Sequence, residues 1–251
     1  MILILTDDNG NGYSFPSTFY IKSGSFSAST DVKKYAYGTG GKQVGDGFYN
    51  YRLVTIEGFL IEGRDSDFEI ARAALFFACR KGGQLRIQGD SVSRFITVRK
   101  PDFDYQWEFF QRSMRISITF IAENPFWVDD TETSDANVMT GDGSFAVDGS
   151  GSVEVMLPVF EISATSVPVP SVRLTNISDG GLSLQYNNPT FYAGDLLVID
   201  SLAGTIKLNS NPAQEYLQDG SAFLRLQPVS NTFNYEGAAC TITVKFRKYY
   251  I

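Results

Sequence analysis

The sequence predicts a mainly β protein of two domains: an N-terminal β-barrel or sandwich that carries one α-helix, followed by an antiparallel β-sandwich. Short runs of alternating apolar and polar residues recur along the whole chain, bounded by Gly, Asn and Asp clusters. Only one segment combines helical spacing with start and stop signals. An acidic, glycine-rich stretch separates two β-patterned blocks, which sets the domains at 1–128 and 144–251 with a linker at 129–143.

The first block opens on Met1-Ile2-Leu3-Ile4-Leu5, which has no basic flank and is too short for a signal-peptide core. Phe19-Tyr20-Ile21 and Leu53 to Ile61 read as strands. In the second of these, Leu53, Thr55 and Glu57 share one face while Val54, Ile56 and Leu60 share the other. Between them, Gly38 to Phe48 holds five glycines in eleven residues and reads as a long loop or hairpin arm. Its Lys42-Gln43 lacks the Gly-Lys-Ser/Thr ending of a phosphate-binding loop.

The helix is expected over residues 67–81. Ser66-Asp67-Phe68-Glu69 has the form of a capping box, and Gly82-Gly83 after Arg80-Lys81 offers a left-handed stop. Phe68, Ala71, Leu75 and Cys79 fall on one stripe, and Ile70, Ala73, Ala74 and Phe77 on another. A helix apolar on two sides must be covered on two sides. The ordinary arrangement sandwiches it within one subunit; the alternative puts Ile70, Ala74 and Phe77 against a neighbouring subunit.

From Arg112 to Ala122, Met114, Ile116, Ile118, Phe120 and Ala122 alternate with Ser113, Arg115, Ser117 and Thr119, a strand with one face buried. Asn124-Pro125 stops it, because proline lacks an amide donor and restrains the residue before it. Phe126 and Trp127 are then free to seal a domain edge. Residues 129–152 contain five Asp, one Glu, four Gly, four Ser and three Thr, too little apolar surface to repay ordering, so the first half of that stretch is expected to be a mobile linker. Strands follow at Val153-Val155-Leu157, Leu182-Leu184-Tyr186, Leu196 to Ile199, Ile206 to Leu208, Leu224-Leu226 and Ile242-Val244-Phe246, parted by turns such as Asp179-Gly180-Gly181 and Ala203-Gly204.

Composition closes off most chemistry. The chain has no histidine, which removes the commonest general base and transition-metal ligand. Cys79 and Cys240 stand far apart and read as small buried hydrophobes. Residues 1–128 carry 15 Lys and Arg against 14 Asp and Glu, residues 153–251 carry 6 against 8, and the stretch between holds six acids and no base. No basic stripe suggests specific nucleic-acid binding. Asp129, Asp130, Glu132 and Asp135 match no calcium loop. Asp102 with Asp104, or Asp65, Asp67 and Glu69, could be offered as a hydrolase pair, but the second set is explained by helix N-terminal electrostatics. No catalytic, metal or cofactor site is expected.

The order of these features resembles the distal tail protein (Dit) family of long-tailed bacteriophages. The glycine arm precedes Tyr51-Arg52, then one helix ending at Gly82-Gly83 before Leu85-Arg86-Ile87, then the Asn-Pro-Phe-Trp junction. The second domain matches at Pro158-Val159-Phe160-Glu161-Ile162, at Gly194 to Asn209, at Phe223-Leu224-Arg225-Leu226-Gln227-Pro228, and at Asn231, Asn234 and Phe246-Arg247. Val229-Ser230-Asn231 departs from the pattern, where a glycine is expected before the asparagine.

The resemblance implies a tail-tube-like first domain forming a hexameric ring, and a galectin-like second domain. It makes the Gly38 to Gly47 arm, with Gly40, Gly41, Lys42, Gln43, Val44 and Gly45, a belt reaching along the next subunit; Ile70, Ala74 and Phe77, on the second apolar stripe of the helix, complete the expected interface. The implied partners are other copies of the chain, the tail tube protein, the hub or tip protein and receptor-binding proteins or fibres. DNA would pass only as cargo in the lumen, with no membrane insertion. The implied location is the tail tip or baseplate of a virion, after synthesis in the host cytoplasm. The competing reading is a carbohydrate-binding sandwich for host attachment, with Tyr186, Asn187, Asn188, Phe191 and Tyr192 as its platform.

Overall fold

The computed structural model describes residues 2–7, 9–28, 49–61, 65–89, 92–108, 113–165 and 167–251. The chain divides into two units, Met1–Trp127 and Val128–Ile251.

The first unit is built from β1 (Ile2–Thr6), β2 (Gly12–Ser14), β3 (Tyr20–Ala28), β4 (Tyr49–Ile61), α1 (Asp65–Cys79), β5 (Gly83–Gln88), β6 (Ser93–Glu108) and β7 (Ser113–Ala122). Its strands are ordered β2-β1-β5-β6-β7-β4-β3, every neighbouring pair antiparallel. Strand β6 serves two halves of this sheet. Ser93 to Val98 pairs with β5, and Arg99 to Glu108 pairs with β7 after the register slips between Arg99 and Asp102. Pro101 sits at the slip, where a residue without an amide hydrogen removes no ladder bond and the strand can turn a corner.

The alternation read in β7 is realised: Met114, Ile116, Ile118, Phe120 and Ala122 are all buried, as are Val54, Ile56 and Leu60 of β4. Beyond β7, Asn124 accepts the Phe126 amide at 3.2 Å, a local turn that ends the ladder. Trp127 is buried, with the Arg52 guanidinium 6.0 Å from its ring. The helix begins and ends two residues earlier than expected. It starts at Asp65, not at a Ser66 cap, and leaves Arg80 and Lys81 beyond its last turn. The stop is nevertheless at the glycines: the Gly82 amide returns to the Cys79 carbonyl at 3.0 Å, and Gly82 (φ 78) and Gly83 (φ 140) both take conformations that favour glycine.

The second unit opens with β8 (Trp127–Asp129), which crosses the unit boundary and pairs with β19 (Tyr249–Tyr250). The Asp129 carboxylate accepts from the Tyr250 hydroxyl at 2.8 Å. Between these lie β9 (Thr133–Met139), β10 (Gly143–Asp148), β11 (Val159–Ala164), β12 (Ser171–Asn176), β13 (Leu182–Asn187), β14 (Leu196–Asp200), β15 (Thr205–Leu208), β16 (Asn211–Pro212), β17 (Ser230–Gly237) and β18 (Cys240–Phe246). They form two antiparallel sheets, β10-β17-β12-β13 and β16-β15-β14-β11-β18-β9. Their inner faces share one core, in which Phe160 of β11 meets Phe233 of β17 edge-on at 5.6 Å.

Residues 129–143, expected as a mobile linker, contain β9 instead. It pairs with β18 over seven residues, from Thr133 opposite Phe246 to Met139 opposite Cys240. Composition misses this because an edge strand is held by backbone bonds to its neighbour, not by apolar side chains of its own. The alternation at Val153, Val155 and Leu157 is likewise no strand: Met156 is the buried residue there and makes an isolated bridge to Leu226. Leu224 and Leu226 are buried as read, but outside any named strand.

Candidate functional site

Helix α1 is amphipathic in a way that its own unit leaves half unused. Phe68, Leu75 and Cys79 point into the core and are at most 3% exposed. On the other stripe, Ile70 is 69% and Phe77 66% exposed, with Ala73 and Ala74 open between them. The sandwich of the helix within one subunit is therefore not found among the described residues. Ile70, Ala74 and Phe77, at spacing i, i+4, i+7, form a continuous outward apolar face. The other six residues expected at the interface, Gly40, Gly41, Lys42, Gln43, Val44 and Gly45, lie outside the described residues.

A groove of about 390 Å³ runs beside this face, between the end of α1 and the β1–β2 turn, lined by Leu5, Asp7, Tyr13, Ala74, Phe77 and Lys81 among others. Arg80 lays its guanidinium 4.1 Å from the centre of the Phe77 ring. Asp7 closes the turn by accepting from the Asn9 and Asn11 amides at 2.9 and 2.8 Å. The Asn11 side chain also donates to it at 3.0 Å, and these bonds hold its carboxyl below the usual carboxylate range. The Cys79 thiol is pushed up to about 12 by burial, which keeps it protonated and unfit as a nucleophile.

The outer face of β3-β4-β7-β6 is polar. Glu57, only 9% exposed at its side chain, receives Lys22 at 2.7 Å, Arg115 at 3.4 Å and the Tyr20 hydroxyl at 3.3 Å, beside Asp104 and Ser117. The Lys22 hydrogen bond is the chief cause that lowers the Glu57 pKa from its ordinary 4.5. A depressed carboxylate stabilises the fold above its unfolded pKa and loses that contribution as pH falls through the folded value. The unfolding midpoint of the first unit is therefore expected to fall below about pH 4.5, and less so in Glu57→Gln; equal acid sensitivity in the two proteins would refute the assignment.

The platform for sugar does not form. Tyr186, Asn188 and Phe191 are at most 1% exposed, with Asn188 donating to the Tyr186 hydroxyl at 2.9 Å and accepting from Thr190. Only Tyr192 of the candidate aromatics is open, at 54%. Those residues build a turn over the core. The carboxylates offered as a hydrolase pair are also accounted for: Asp102 and Asp104 are exposed on one face of β6, while Asp65, Asp67 and Glu69 lie in the first turns of α1. Among the described residues no group of three or more His, Cys, Asp or Glu could hold a metal, and no helix is long and apolar enough to cross a membrane.

Sequence reasoning missed the device that closes the turn leading into β17, although it flagged the departure there. Asn231, fully buried, accepts the Gln227 amide at 2.8 Å and donates to the Gln227 and Val229 carbonyls at 2.9 and 2.7 Å. Asn176 joins it at 3.3 Å and donates to the Arg225 carbonyl at 2.6 Å. The asparagine amide closes the turn, so Val229-Ser230 needs no glycine before it.

Residues 150–250 match the family described as siphovirus-type tail component, C-terminal domain. No curated protein matches the chain. Among solved structures, the crystal structure of SPP1 Dit (gp 19.1), described as a paradigm of the hub adsorption apparatus in phages infecting Gram-positive hosts, is similar over 100% of both chains, with 13% identity and a TM-score of 0.76. Chains of the phage P2 baseplate in its activated conformation, with Ca and with Sr, cover 97% of this chain and 97% and 96% of their own, at 10% and 8% identity and a TM-score of 0.43 in each case. Over residues 150–250 the second unit is thus similar to the siphovirus-type tail components, and the chain as a whole has the fold of SPP1 Dit.

Proposed function

We propose that this tail component is a structural ring subunit of the tail tip, six copies closing head to tail to join the tail tube to the hub and the receptor-binding apparatus. The observation that carries the reading is the outward apolar face of α1, where Ile70 and Phe77 are about two-thirds exposed in the protomer. Two further features support it. Among the described residues β3 pairs only with β4, and β2 only with β1, so no described strand lies beyond either end of the sheet. A heterologous contact that uses unlike surfaces generates a ring when its rotation closes. The polar Glu57 face suits the wall of a water-filled channel through which DNA passes as cargo. The galectin-like outward sandwich and the docking of tube, hub and fibre proteins are part of the same proposal.

Native mass spectrometry tests it. The expected species is about six times the 27.8 kDa chain. Ile70→Ser with Phe77→Ser should return it to monomers without loss of circular dichroism. Burying two such side chains is worth about 3 kcal/mol or more per interface, roughly a hundredfold in association. Monodisperse monomers at high concentration, alone and with tail partners, would count decisively against the ring.

A further inference from the structure

The sandwich of the second unit has four sheet edges, and two of them are blunted. Strand β16 is two residues long and contains Pro212, which has no amide to offer. Strand β13 is covered by the segment that follows β16: the Gln218 amide donates to the Gln185 carbonyl at 2.9 Å, Ala222 to Ser183 at 2.9 Å, and the Gln185 amide reaches the Ser221 hydroxyl at 3.0 Å. Strand β10 runs six residues in register with β17 and is open among the described residues, but it holds a single carboxylate, Asp148. The fourth edge, β9, differs. It runs seven residues in unbroken register with β18 and, among the described residues, pairs with nothing else. It contains no proline, lysine, arginine or bulge, and its single charge, Asp135, lies on the same side of the strand as the buried Met139, with the Asn137 amide 3.5 Å away. Ser134, Ala136 and Val138 are exposed along one face, Val138 at 76%.

Charge says what kind of strand fits. From Val128 to Asp142 the chain carries Asp129, Asp130, Glu132, Asp135 and Asp142 and no basic residue. The nearby cations are already engaged: Arg247 donates to the Asp129 and Asp130 carbonyls, and Lys245 pairs with Glu161 at 2.5 Å. Pairing of β9 with β9 of a second copy would bring like charges together, which is destabilising across a strand pair. We propose that the outer edge of β9 accepts, by strand addition, an extended cationic segment of another protein, which becomes a seventh strand of this sheet. Main-chain hydrogen bonds supply the affinity, Ala136 and Val138 meet alternate apolar side chains, and the carboxylates select and steer a basic partner.

The probe is a synthetic seven-residue peptide alternating valine or threonine with lysine, titrated into the full chain at low salt and followed by hydrogen exchange. Saturable binding with slowed exchange confined to residues 133–139 is expected. It should weaken at least about tenfold when glutamate replaces lysine in the peptide, and in the folded variant Glu132→Lys with Asp135→Lys. Ala136→Pro, checked by circular dichroism, should abolish it. No protection of these amides at millimolar peptide overturns the proposal. So does binding that the charge variants leave unchanged, and binding that never slows β9 exchange, which is ionic adhesion alone.

Discussion

Gly83→Ala is expected to destabilise the first unit by more than about 3 kcal/mol, enough to unfold much of it at physiological temperature. A β-carbon at this position would lie 2.1 Å from the Thr6 carbonyl oxygen and 3.1 Å from the Asp7 α-carbon, both backbone atoms of β1 or its exit. Neither can swing aside as a side chain could. The φ of 140° is itself one that residues with side chains rarely adopt. The clash falls where β5 pairs with β1, Gln84 opposite Thr6, so relief requires β1 to move outward and uncover the buried Leu3 and Leu5. Hydrogen exchange along β1 and β5 across a denaturant series gives a midpoint for this unit separately from the second. Gly89→Ala is the control, because the nearest atom to its β-carbon is the Val92 carbonyl oxygen at 3.7 Å. Its expected cost is below about 1 kcal/mol. Equal midpoints for the two variants would show that the close approach at Gly83 does not matter.

The second large effect is expected at Asn231. Its one amide group satisfies a backbone donor and two backbone acceptors of the Gln227 to Val229 turn, and its oxygen also meets the Asn176 amide. Asn231→Leu keeps the branched outline of the side chain in a larger, apolar form and removes every one of these bonds, leaving polar groups of the turn without partners inside the protein. The expected loss is about 3 kcal/mol or more in the second unit. Asn231→Asp separates the contributions: it retains the acceptor for the Gln227 amide, loses both donors and introduces a charge at a buried site, so it should also destabilise. Hydrogen exchange of β17 and β18, expected to accelerate in both variants while the first unit stays unchanged, checks the result. A leucine variant with wild-type protection in β17 would rule out this role for the asparagine.

Much of this architecture was legible because local rules and tertiary packing agree. The β7 alternation, the Asn124-Pro125 stop, the glycine brake on α1 and the β14–β15 hairpin each depend on residues whose conformational preferences are set within a few positions. The hairpin shows the agreement well: Gly194 and Gly204 have positive φ, and Asp200 accepts from the Leu202 and Ala203 amides at 3.0 and 2.9 Å. Legibility failed where partners distant in sequence decide. Strand β9 is polar enough to be taken for a linker, and only β18, a hundred residues on, supplies the ladder that orders it. Tyr186, Asn188 and Phe191 have the composition of a sugar platform, yet their burial is a property of the closed sandwich and not of their order in the chain.

The sequence by itself determined that the chain is β-rich, that it carries one helix apolar on two sides, and that it lacks histidine chemistry, because periodicity and composition record those things directly. Which side of the helix the protomer covers was decided only by tertiary structure. Both stripes are apolar, and the choice depends on where the sheet lies. The packing seats Phe68, Leu75 and Cys79 in the core and leaves Ile70, Ala74 and Phe77 facing outward.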